Sequence, residues 1–312
     1  MPFLPLALKQ DTPLGLPQWF SGFCPTAAVN SSEVRSSRLV ACCLPLLLAI
    51  SLLLPAFAEA EDPKLVADTP PRSAEEQLKL FHLPPGFEIQ LFVSEPDIIK
   101  PINIAFDDRC RLWATQSVEY PFPAPSDKTP RDCVKIMEDT DGDGRADRTT
   151  TFVDGLNIPI GVIPIRGGGI VYSIPYVYRF LDSDGDGRAD TREVLYREFG
   201  HRDTHGMASS FTVGLDGWIY ACHGFSNESE VKGSDGKAVR MQSGNTYRFR
   251  PDGSHIEQFT WGQVNPFGLC FDPLMNLYSA DCHSRPIYAL LRGAYYPSFG
   301  KPHDGLGFAP EI

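Results

Sequence analysis

One acidic motif occurs twice in the sequence, at residues 139–147 and again at residues 182–190. Both copies place Asp at motif positions 1, 3, 5 and 9 and Gly at position 6. This is the spacing of an EF-hand-type calcium loop, in which position 7 offers its backbone carbonyl and Gly permits the sharp turn. The spacing predicts two sets of calcium ligands, namely Asp139, Asp141, Asp143, Arg145 and Asp147, and Asp182, Asp184, Asp186, Arg188, Asp190 and Glu193, the last of these at position 12.

A turn without metal is the alternative interpretation, because Asp-Gly runs form good turns by themselves. Four carboxylates within one nine-residue motif repel one another, however, and a hard cation would remove that repulsion. The spacing therefore favours calcium over an empty acidic turn.

The residues around both motifs favour strands. β-prone runs precede the motifs, at 134–137 and 177–180, and follow them, at 149–153 and 194–196. An EF-hand requires helices on both sides, so the motifs are instead predicted to be tips of β-hairpins. A repeat of roughly forty residues with several strands per unit is typical of a β-propeller.

Four units of this kind can be aligned, each with an apolar strand, a turn and a strand that contains an aromatic residue. They begin near residues 102, 161, 211 and 268. The third unit has a plain Pro-Asp-Gly tip at 251–253 and a polar insertion at 226–243 that we expect to be a surface loop. The sequence thus predicts an all-β fold, an incomplete β-propeller with about four blades of an expected six.

The N-terminal region predicts export. Arg35 and Arg38 precede an uncharged run at 39–58 that ends in Ala-Phe-Ala. This pattern indicates a signal peptide cleaved after Ala58, although the run is also long enough to remain as a membrane anchor. In either case we expect a periplasmic or cell-envelope protein.

Three regions are expected along the chain: a signal-bearing extension at 1–60, a linker at 61–84 and the partial propeller at 85–312. The linker holds one short helix, since Ser73 and Glu76 form a capping-box pattern ahead of a predicted helix that ends near Phe81.

Charge and cysteine content exclude several functions. The net charge of −11 argues against nucleic acid or an anionic membrane surface as a partner. The five cysteines beyond the signal are an odd number without a Cys-x-x-Cys spacing, which excludes a zinc knuckle and leaves at least one cysteine unpaired. The pairs Cys222-His223 and Cys282-His283 are interpreted as ordinary strand residues, because neighbours on a strand point to opposite faces.

Two loops that precede predicted strands carry candidate catalytic residues. In the first, His205 follows Asp203, which could orient the imidazole, and a histidine so placed can act as a general base. In the second, one unit later, Asn265 places an amide at the corresponding loop. The structural alternative is that both residues only bond backbone groups where blades begin.

Several motifs together resemble one protein family. They are Pro-Pro-Gly-Phe-Glu-Ile at 84–89, the two acidic motifs, Asp-Thr-His-Gly at 203–206 and Lys-Pro-His-Asp-Gly-Leu-Gly at 301–307. This set is similar to the N-terminal domain of the membrane-bound dehydrogenases of the Planctomycetes–Verrucomicrobia group. The resemblance implies a truncated propeller and a cytochrome c electron acceptor that is absent from this chain.

The chain is more distantly similar to soluble glucose and sorbosone dehydrogenases that bind pyrroloquinoline quinone (PQQ). This resemblance implies that His205 takes a hydroxyl proton from a sugar or other alcohol and that Asn265 contacts the cofactor. The arginine that precedes this asparagine in those enzymes is replaced here by Val264. A non-catalytic propeller that binds carbohydrate or protein is the other interpretation, with calcium only stiffening the blades.

Overall fold

Four blades of antiparallel strands build the part of the chain that the computed structural model describes, residues 70–282 and 284–296. The elements in this part follow in chain order: α1 (Ala74–Leu78), β1 (Pro101–Phe106), β2 (Leu112–Gln116), β3 (Asp132–Glu138), β4 (Arg148–Leu156), β5 (Gly161–Ile165), β6 (Gly168–Ser173), β7 (Tyr176–Leu181), β8 (Thr191–Tyr196), β9 (Ser209–Val213), β10 (Ile219–His223), β11 (Glu228–Lys232), β12 (Ala238–Gln242), β13 (Asn245–Phe249), β14 (Ile256–Gly262), β15 (Asn265–Phe271), β16 (Leu277–Cys282), β17 (Tyr288–Leu290) and β18 (Tyr295–Tyr296).

Each blade is one sheet that runs outward from its first strand. Blade 1 has the order β1-β2-β3-β4, blade 2 β5-β6-β7-β8, blade 3 β9-β10-β13-β14 and blade 4 β15-β16-β17. Strand β18 pairs parallel to β14 at the outer edge of blade 3. The first strands contact one another in succession, β1 with β5, β5 with β9 and β9 with β15. The predicted four-blade propeller is confirmed.

Both acidic motifs lie at hairpin tips, as predicted. Residues 139–147 connect β3 to β4, where Glu138 pairs with Arg148, and residues 182–190 connect β7 to β8, where Leu181 pairs with Thr191. Strands therefore flank both motifs, and an EF-hand is excluded because its helices are missing.

Large apolar side chains fill the spaces between neighbouring blades. Trp113 and Phe152 pack against blade 2, Tyr172 and Phe249 lie between blades 2 and 3, and Tyr288 packs against blade 3. Every residue of the inner strands β2, β6, β10 and β13 is buried. Strands β6, β10 and β13 lie between two blades, whereas β2 is covered by blade 2 on one face and by the segment before β1, with Phe92, Val93 and Ile98, on the other. Burial of each large apolar side chain between blades contributes about 1.5–3 kcal/mol to the free energy of unfolding, which makes blade stacking the main source of stability.

The polar insertion in blade 3 is a β-hairpin, and the predicted surface loop was wrong. Strands β11 and β12 pair from Glu228 opposite Gln242 to Lys232 opposite Ala238. Val231 and Met241 are buried in the cluster between blades 2 and 3. Two apolar side chains on the covered face were enough to fix the hairpin, although polar residues dominate its sequence.

Helix α1 begins with the predicted capping box. The Ser73 hydroxyl accepts a hydrogen bond from the Glu76 amide at 3.2 Å, and the Glu76 carboxylate accepts one from the Ser73 amide at 2.9 Å. The helix ends at Leu78 rather than near Phe81, because the next amides bond three residues back and tighten the last turn.

The predicted signal or anchor at 39–58, the extension at 1–60 and the motif at 301–307 lie outside the described residues. Among the residues that are described, no helix is long and apolar enough to cross a membrane.

Candidate functional site

Three of the four blades begin with the same short pattern, in which a variable residue precedes Pro, an apolar residue and then Gly or Asn. The pattern reads Lys-Pro-Ile-Asn at 100–103, Ile-Pro-Ile-Gly at 158–161 and Asn-Pro-Phe-Gly at 265–268. Blade 3 instead begins after the loop 203–206. Apolar side chains from the three patterns line one cavity together with His205. We call these four segments the mouth.

His205 and Asp203 form a hydrogen-bonded pair at the mouth. The imidazole Nδ1 lies 2.8 Å from the Asp203 carboxylate, which also accepts the His205 backbone amide at 3.0 Å. The His205 side chain is 63% exposed and that of Asp203 28% exposed. The pair that the sequence predicted is therefore assembled, with the imidazole accessible to a ligand.

Asn265 lies beside this pair and bonds the backbone of two neighbouring loops. Its amide oxygen accepts the Phe225 amide at 3.0 Å, and its amide nitrogen donates to the His205 carbonyl at 3.1 Å. Val264, at the position of the missing arginine, is buried. Asn265 thus fixes the backbone that carries His205, as the structural alternative anticipated.

Asn227 fixes the same loop from the other side, and the sequence analysis did not single it out. This fully buried amide donates to the carbonyls of Asp203 and Gly206 at 2.8 and 2.9 Å, and it accepts the Asp203 amide at 3.0 Å. Gly206 packs so tightly here that a Cβ would lie 2.4 Å from the Phe225 nitrogen. The loop of the candidate base is therefore rigidly held.

Two cavities adjoin at the mouth. The smaller, of about 380 Å³, is lined by Lys100, Pro101, Ile102, Ser117, Tyr120, Ile160, Thr204, His205 and Phe267. The larger, of about 840 Å³, is lined by Tyr120, Asp203, His205, Phe225, Val264, Asn265, Phe267 and Cys282. Tyr120, His205 and Phe267 belong to both linings, so the candidate base lies between the two spaces.

Aromatic side chains around His205 complete the site, and sequence reasoning missed them. The Tyr120 ring meets the imidazole edge-on with 5.5 Å between ring centroids. Phe225 and Phe267 line the larger cavity and remain 39% and 41% exposed. Burial, and then the Asp203 carboxylate, raise the pKa of Tyr120, which keeps its phenol protonated.

A buried carboxylate holds the segment that carries Tyr120. Asp132 is 1% exposed and accepts hydrogen bonds from the Ser117 hydroxyl at 2.6 Å and the Ile158 amide at 2.8 Å. The amides of Val118 and Glu119 donate to its other oxygen at 2.8 and 3.1 Å. Asp132 thereby joins the segment at 117–119, which leads to Tyr120, to Ile158 in the mouth segment of blade 2.

The two acidic tips have nearly the same hydrogen-bond geometry. Asp139 accepts the amides of Gly142 and Gly144 at 2.7 and 2.8 Å, and Asp182 accepts the matching amides of the second tip at 2.7 and 2.9 Å. The Gly144 amide, supported by that of Gly142, holds the pKa of Asp139 below its usual value. Each tip is therefore folded around the carboxylate at motif position 1, which accepts two backbone amides.

Three of the predicted ligands converge in each tip. Carboxylate oxygens lie within 4.8 Å of one another in two groups, Asp139, Asp141 and Asp147 in the first tip and Asp182, Asp184 and Asp190 in the second. The position-5 carboxylates of Asp143 and Asp186 are outside these groups, and each accepts the backbone amide of Arg145 or Arg188 at 2.7 Å.

Glu193 is not brought to the second group. It lies on β8 opposite Arg179 of β7, and the Arg179 Nε donates to its carboxylate at 3.0 Å. The strand pairing begins at Thr191, so residue 193 follows the sheet and no longer belongs to the loop.

Each acidic tip also donates a backbone hydrogen bond to a segment that comes earlier in the chain. The Ala189 amide donates to the Phe152 carbonyl of β4 at 2.8 Å, and the Ala146 amide donates to the Phe92 carbonyl at 2.9 Å. The second tip thus ties blade 2 to blade 1.

None of the five described cysteines forms a disulfide: they are Cys110, Cys133, Cys222, Cys270 and Cys282. Cys222 and His223 are buried residues of β10. The His223 Nδ1 donates to the Ser243 carbonyl at 2.8 Å, and its Nε2 accepts from the Ser229 hydroxyl at 2.7 Å. Both ring nitrogens are used, so His223 is a structural residue, as interpreted from the sequence.

Comparison with protein families gives one match. Residues 73–303 match the model of a family described as a domain of unknown function (DUF7133). The chain belongs to this family. A comparison with curated protein sequences found no match.

Solved structures similar to this DUF7133 chain include sugar-related propellers. The holo PQQ domain of pyranose dehydrogenase from Coprinopsis cinerea is 14% identical with a TM-score of 0.42, over 65% of this chain and 47% of that one. A gluconolactonase from Xanthomonas campestris is 16% identical, with a TM-score of 0.37, over 62% and 58%. A glucose dehydrogenase is 14% identical, with a TM-score of 0.41, over 68% and 72%. The chain thus spans about half of the first structure, and no residue's role follows from this likeness.

Proposed function

We propose that this DUF7133 chain binds a sugar or another small alcohol at the mouth and that His205 accepts the hydroxyl proton while a two-electron acceptor separate from this chain takes the hydride from the carbon atom. The observation that supports the proposal is the His205–Asp203 pair, exposed between two cavities. Phe225 and Phe267 add apolar surfaces on which the C–H face of a sugar ring can stack. Together with Asp203, they form a cavity that is mostly apolar with a few polar groups, as small-molecule sites are.

The pair defines which imidazole nitrogen would act as the base. When His205 is neutral, its Nδ1–H donates to the Asp203 carboxylate, so Nε2 carries the free lone pair. Asp203 then stabilises the imidazolium that forms after proton transfer. Proton transfer of this kind contributes typically about 10²- to 10⁴-fold to a rate.

The described lining of the larger cavity does not fit PQQ. This quinone carries several carboxylates, whereas the lining offers Asp203 and no Lys or Arg, with Val264 where the arginine would stand. The Asn265 amide is already bonded to His205 and Phe225. We therefore assign no step to the quinone, and the proposal is limited to substrate binding and proton transfer.

Calcium binding at the two acidic tips is part of the proposal. The three convergent carboxylates of each tip support it, because their repulsion is unfavourable without a cation. Both tips lie on hairpins, and His205 is on neither of them, so the ions would stiffen the blades and take no part in chemistry.

A non-catalytic propeller that binds carbohydrate is the second candidate function. Two observations favour it: the cavity lacks a cation for a carboxylated cofactor, and Asn265 is occupied with backbone groups. Export, and membership of the membrane-bound dehydrogenase group, also stay proposals, supported by the motifs and the run at 39–58. Cell fractionation of the full-length protein tests the location.

Dye reduction by the full-length protein tests the catalytic proposal, with the dye as the electron acceptor, calcium added, PQQ either present or absent, and a panel of sugars and alcohols as substrates. We expect the His205→Ala variant to lose at least about 100-fold in kcat and Asp203→Asn to lose less. His201→Ala is the matched control, because His201 is exposed in the neighbouring loop and lines neither cavity. No reduction by the wild type, or equal reduction by His205→Ala, contradicts the proposal and leaves the binding function.

A further inference from the structure

Among the described residues that line the smaller cavity, Lys100 is the one Lys or Arg, and it lies in the same lining as the candidate base. We infer that Lys100 binds the carboxylate of an acidic ligand, so that the preferred substrate is a sugar acid or a similar hydroxy acid. This inference deepens the proposed function, since it assigns a substrate class to the same site.

The repeated pattern at the mouth defines the place of Lys100. It is the first residue of the blade 1 pattern, the place that Ile158 takes in blade 2 and Asn265 in blade 4. The third residues of the three patterns, Ile102, Ile160 and Phe267, all line the smaller cavity. The three segments therefore present their third residues to one space, and Lys100 of blade 1 lines the same space.

The backbone at Lys100 is held in an unusual conformation. Its φ of 46° lies in the left-handed region, which residues other than Gly rarely adopt. The Lys100 carbonyl accepts the Ser117 amide at 3.2 Å, and the Ile99 amide donates to the Gln116 side chain at 2.8 Å. These bonds fix the segment from both sides, so the position of Lys100 at the cavity is determined by the fold.

Lys100 is exposed and makes no ion pair within residues 70–282 and 284–296. In the part of the chain that the structure describes, the residues lining this cavity include no carboxylate that would compete for Lys100. In a chain with a net charge of −11, an unpaired cation in a mostly apolar cavity is a favourable place for an anion.

The geometry of the lining suggests a ligand with two functional groups. Lys100 and His205 line the same cavity, and Tyr120 and Thr204 lie on its wall. A ligand whose carboxylate meets Lys100 can therefore place a hydroxyl at His205. A uronic acid has both groups on one ring, whereas a neutral sugar lacks the charge.

Calorimetric binding measurements on the full-length protein, without any electron acceptor, test the inference. The ligands are D-glucuronate, D-glucose and PQQ, and the variants are Lys100→Gln, Lys100→Arg and, as the control, Lys128→Gln, an exposed lysine that lines neither cavity. We expect glucuronate to bind the wild type about tenfold or more tightly than glucose, in line with one charge-assisted hydrogen bond.

The Lys100→Gln variant should lose this preference, and Lys100→Arg should keep most of it. Equal affinity for glucuronate and glucose in the wild type, or an unchanged preference in Lys100→Gln, overturns the inference. The inference is also overturned if Lys100 is required for the binding of PQQ but not of glucuronate, since the cation would then serve a cofactor. Thermal melting of each variant confirms that the fold is intact.

The result for the acidic ligand can be separated from the result for the proposed catalytic function, because one is measured by binding and the other by dye reduction. Lys100-dependent glucuronate binding without any dye reduction supports the acidic ligand and contradicts catalysis. His205-dependent oxidation of glucose that is indifferent to Lys100→Gln supports catalysis and overturns the acidic substrate.

Discussion

The acidic tips and the mouth are both built from segments that recur from blade to blade, but they differ in what recurs. In the tips, residues 139–147 and 182–190 repeat nearly the same sequence and the same hydrogen bonds. At the mouth the backbone pattern recurs, while its first residue changes from Lys100 to Ile158 to Asn265. Repeated side chains indicate a shared structural task, and varied side chains on a shared backbone build one composite site.

Packing differs between the two regions as well. A Cβ added to Gly142 in the first tip meets nothing within 4 Å, whereas one added to Gly206 at the mouth would lie 2.4 Å from the Phe225 nitrogen. The first tip is therefore open to solvent at Gly142, and the mouth is a closely packed junction of loops.

The largest expected effect comes from filling that junction. Gly206→Ala should lower the free energy of unfolding by about 3 kcal/mol, because backbone atoms of Phe225 cannot move aside as a flexible side chain would. Gly142→Ala, the matched variant in the tip, should cost about 1 kcal/mol from its positive φ alone. Urea denaturation measures both, and equal costs would contradict the contrast.

Behind the mouth, His223 should make stability depend on pH. Burial lowers its pKa to about 4 from the ordinary value of 6.5, so the unfolded chain binds more protons than the folded one between these two pH values. The stabilisation of the fold that depends on a neutral His223 is fully present above pH 6.5 and is lost as the pH falls towards 4. The total change in the free energy of unfolding is about 3 kcal/mol. Denaturation from pH 7 to pH 4 should show a smaller slope in His223→Gln, while His201→Gln, at an exposed site, should match the wild type.

Calcium should stabilise the tips and leave other hairpins unchanged. At a calcium concentration 100 times the Kd, each site should add about 2.7 kcal/mol and raise the Tm. Asp184→Ala should remove the stabilisation that calcium gives through the second tip, because Asp184 is one of the three convergent carboxylates there. Asp252→Ala, at the plain tip of blade 3, is the control, and a Tm rise that survives Asp184→Ala would contradict calcium at this tip.

The smallest effect is expected at Glu193. Its pair with Arg179 is exposed, with side-chain exposures of 53% and 30%, so Glu193→Gln should cost about 0.5 kcal/mol or less. Calcium affinity should be unchanged, because strand pairing keeps Glu193 away from the other carboxylates. A tenfold loss of affinity by calorimetry would show that Glu193 is a ligand after all.

Local patterns in the sequence predicted much of the fold. The β-prone runs around the acidic motifs became β3, β4, β7 and β8, and the capping box at Ser73 began α1. The insertion at 226–243 was mispredicted as a loop, because its buried apolar side chains, Val231 and Met241, stand among polar residues and their burial depends on blades that are distant in sequence.

The candidate site was predicted in part. His205, Asp203 and Asn265 do lie together, as their places before successive strands indicated. Tyr120, Phe225 and Asn227 were missed, because nothing in their local sequence distinguishes them from ordinary loop residues. The recurring Lys-Pro-Ile-Asn pattern was a signal for Lys100 that alignment of the blade starts could have found.

The sequence by itself determined the strand order, the hairpin tips and the spacing of the tip carboxylates, because these follow from contacts between residues close in the chain. Tertiary structure alone decided which residues share the mouth, since Lys100 and Phe267 line one cavity only when the blades stack. It also decided that the Asn265 amide holds the His205 backbone. Interactions between distant residues depend on the packing of whole sheets, and that packing is not encoded in any local pattern.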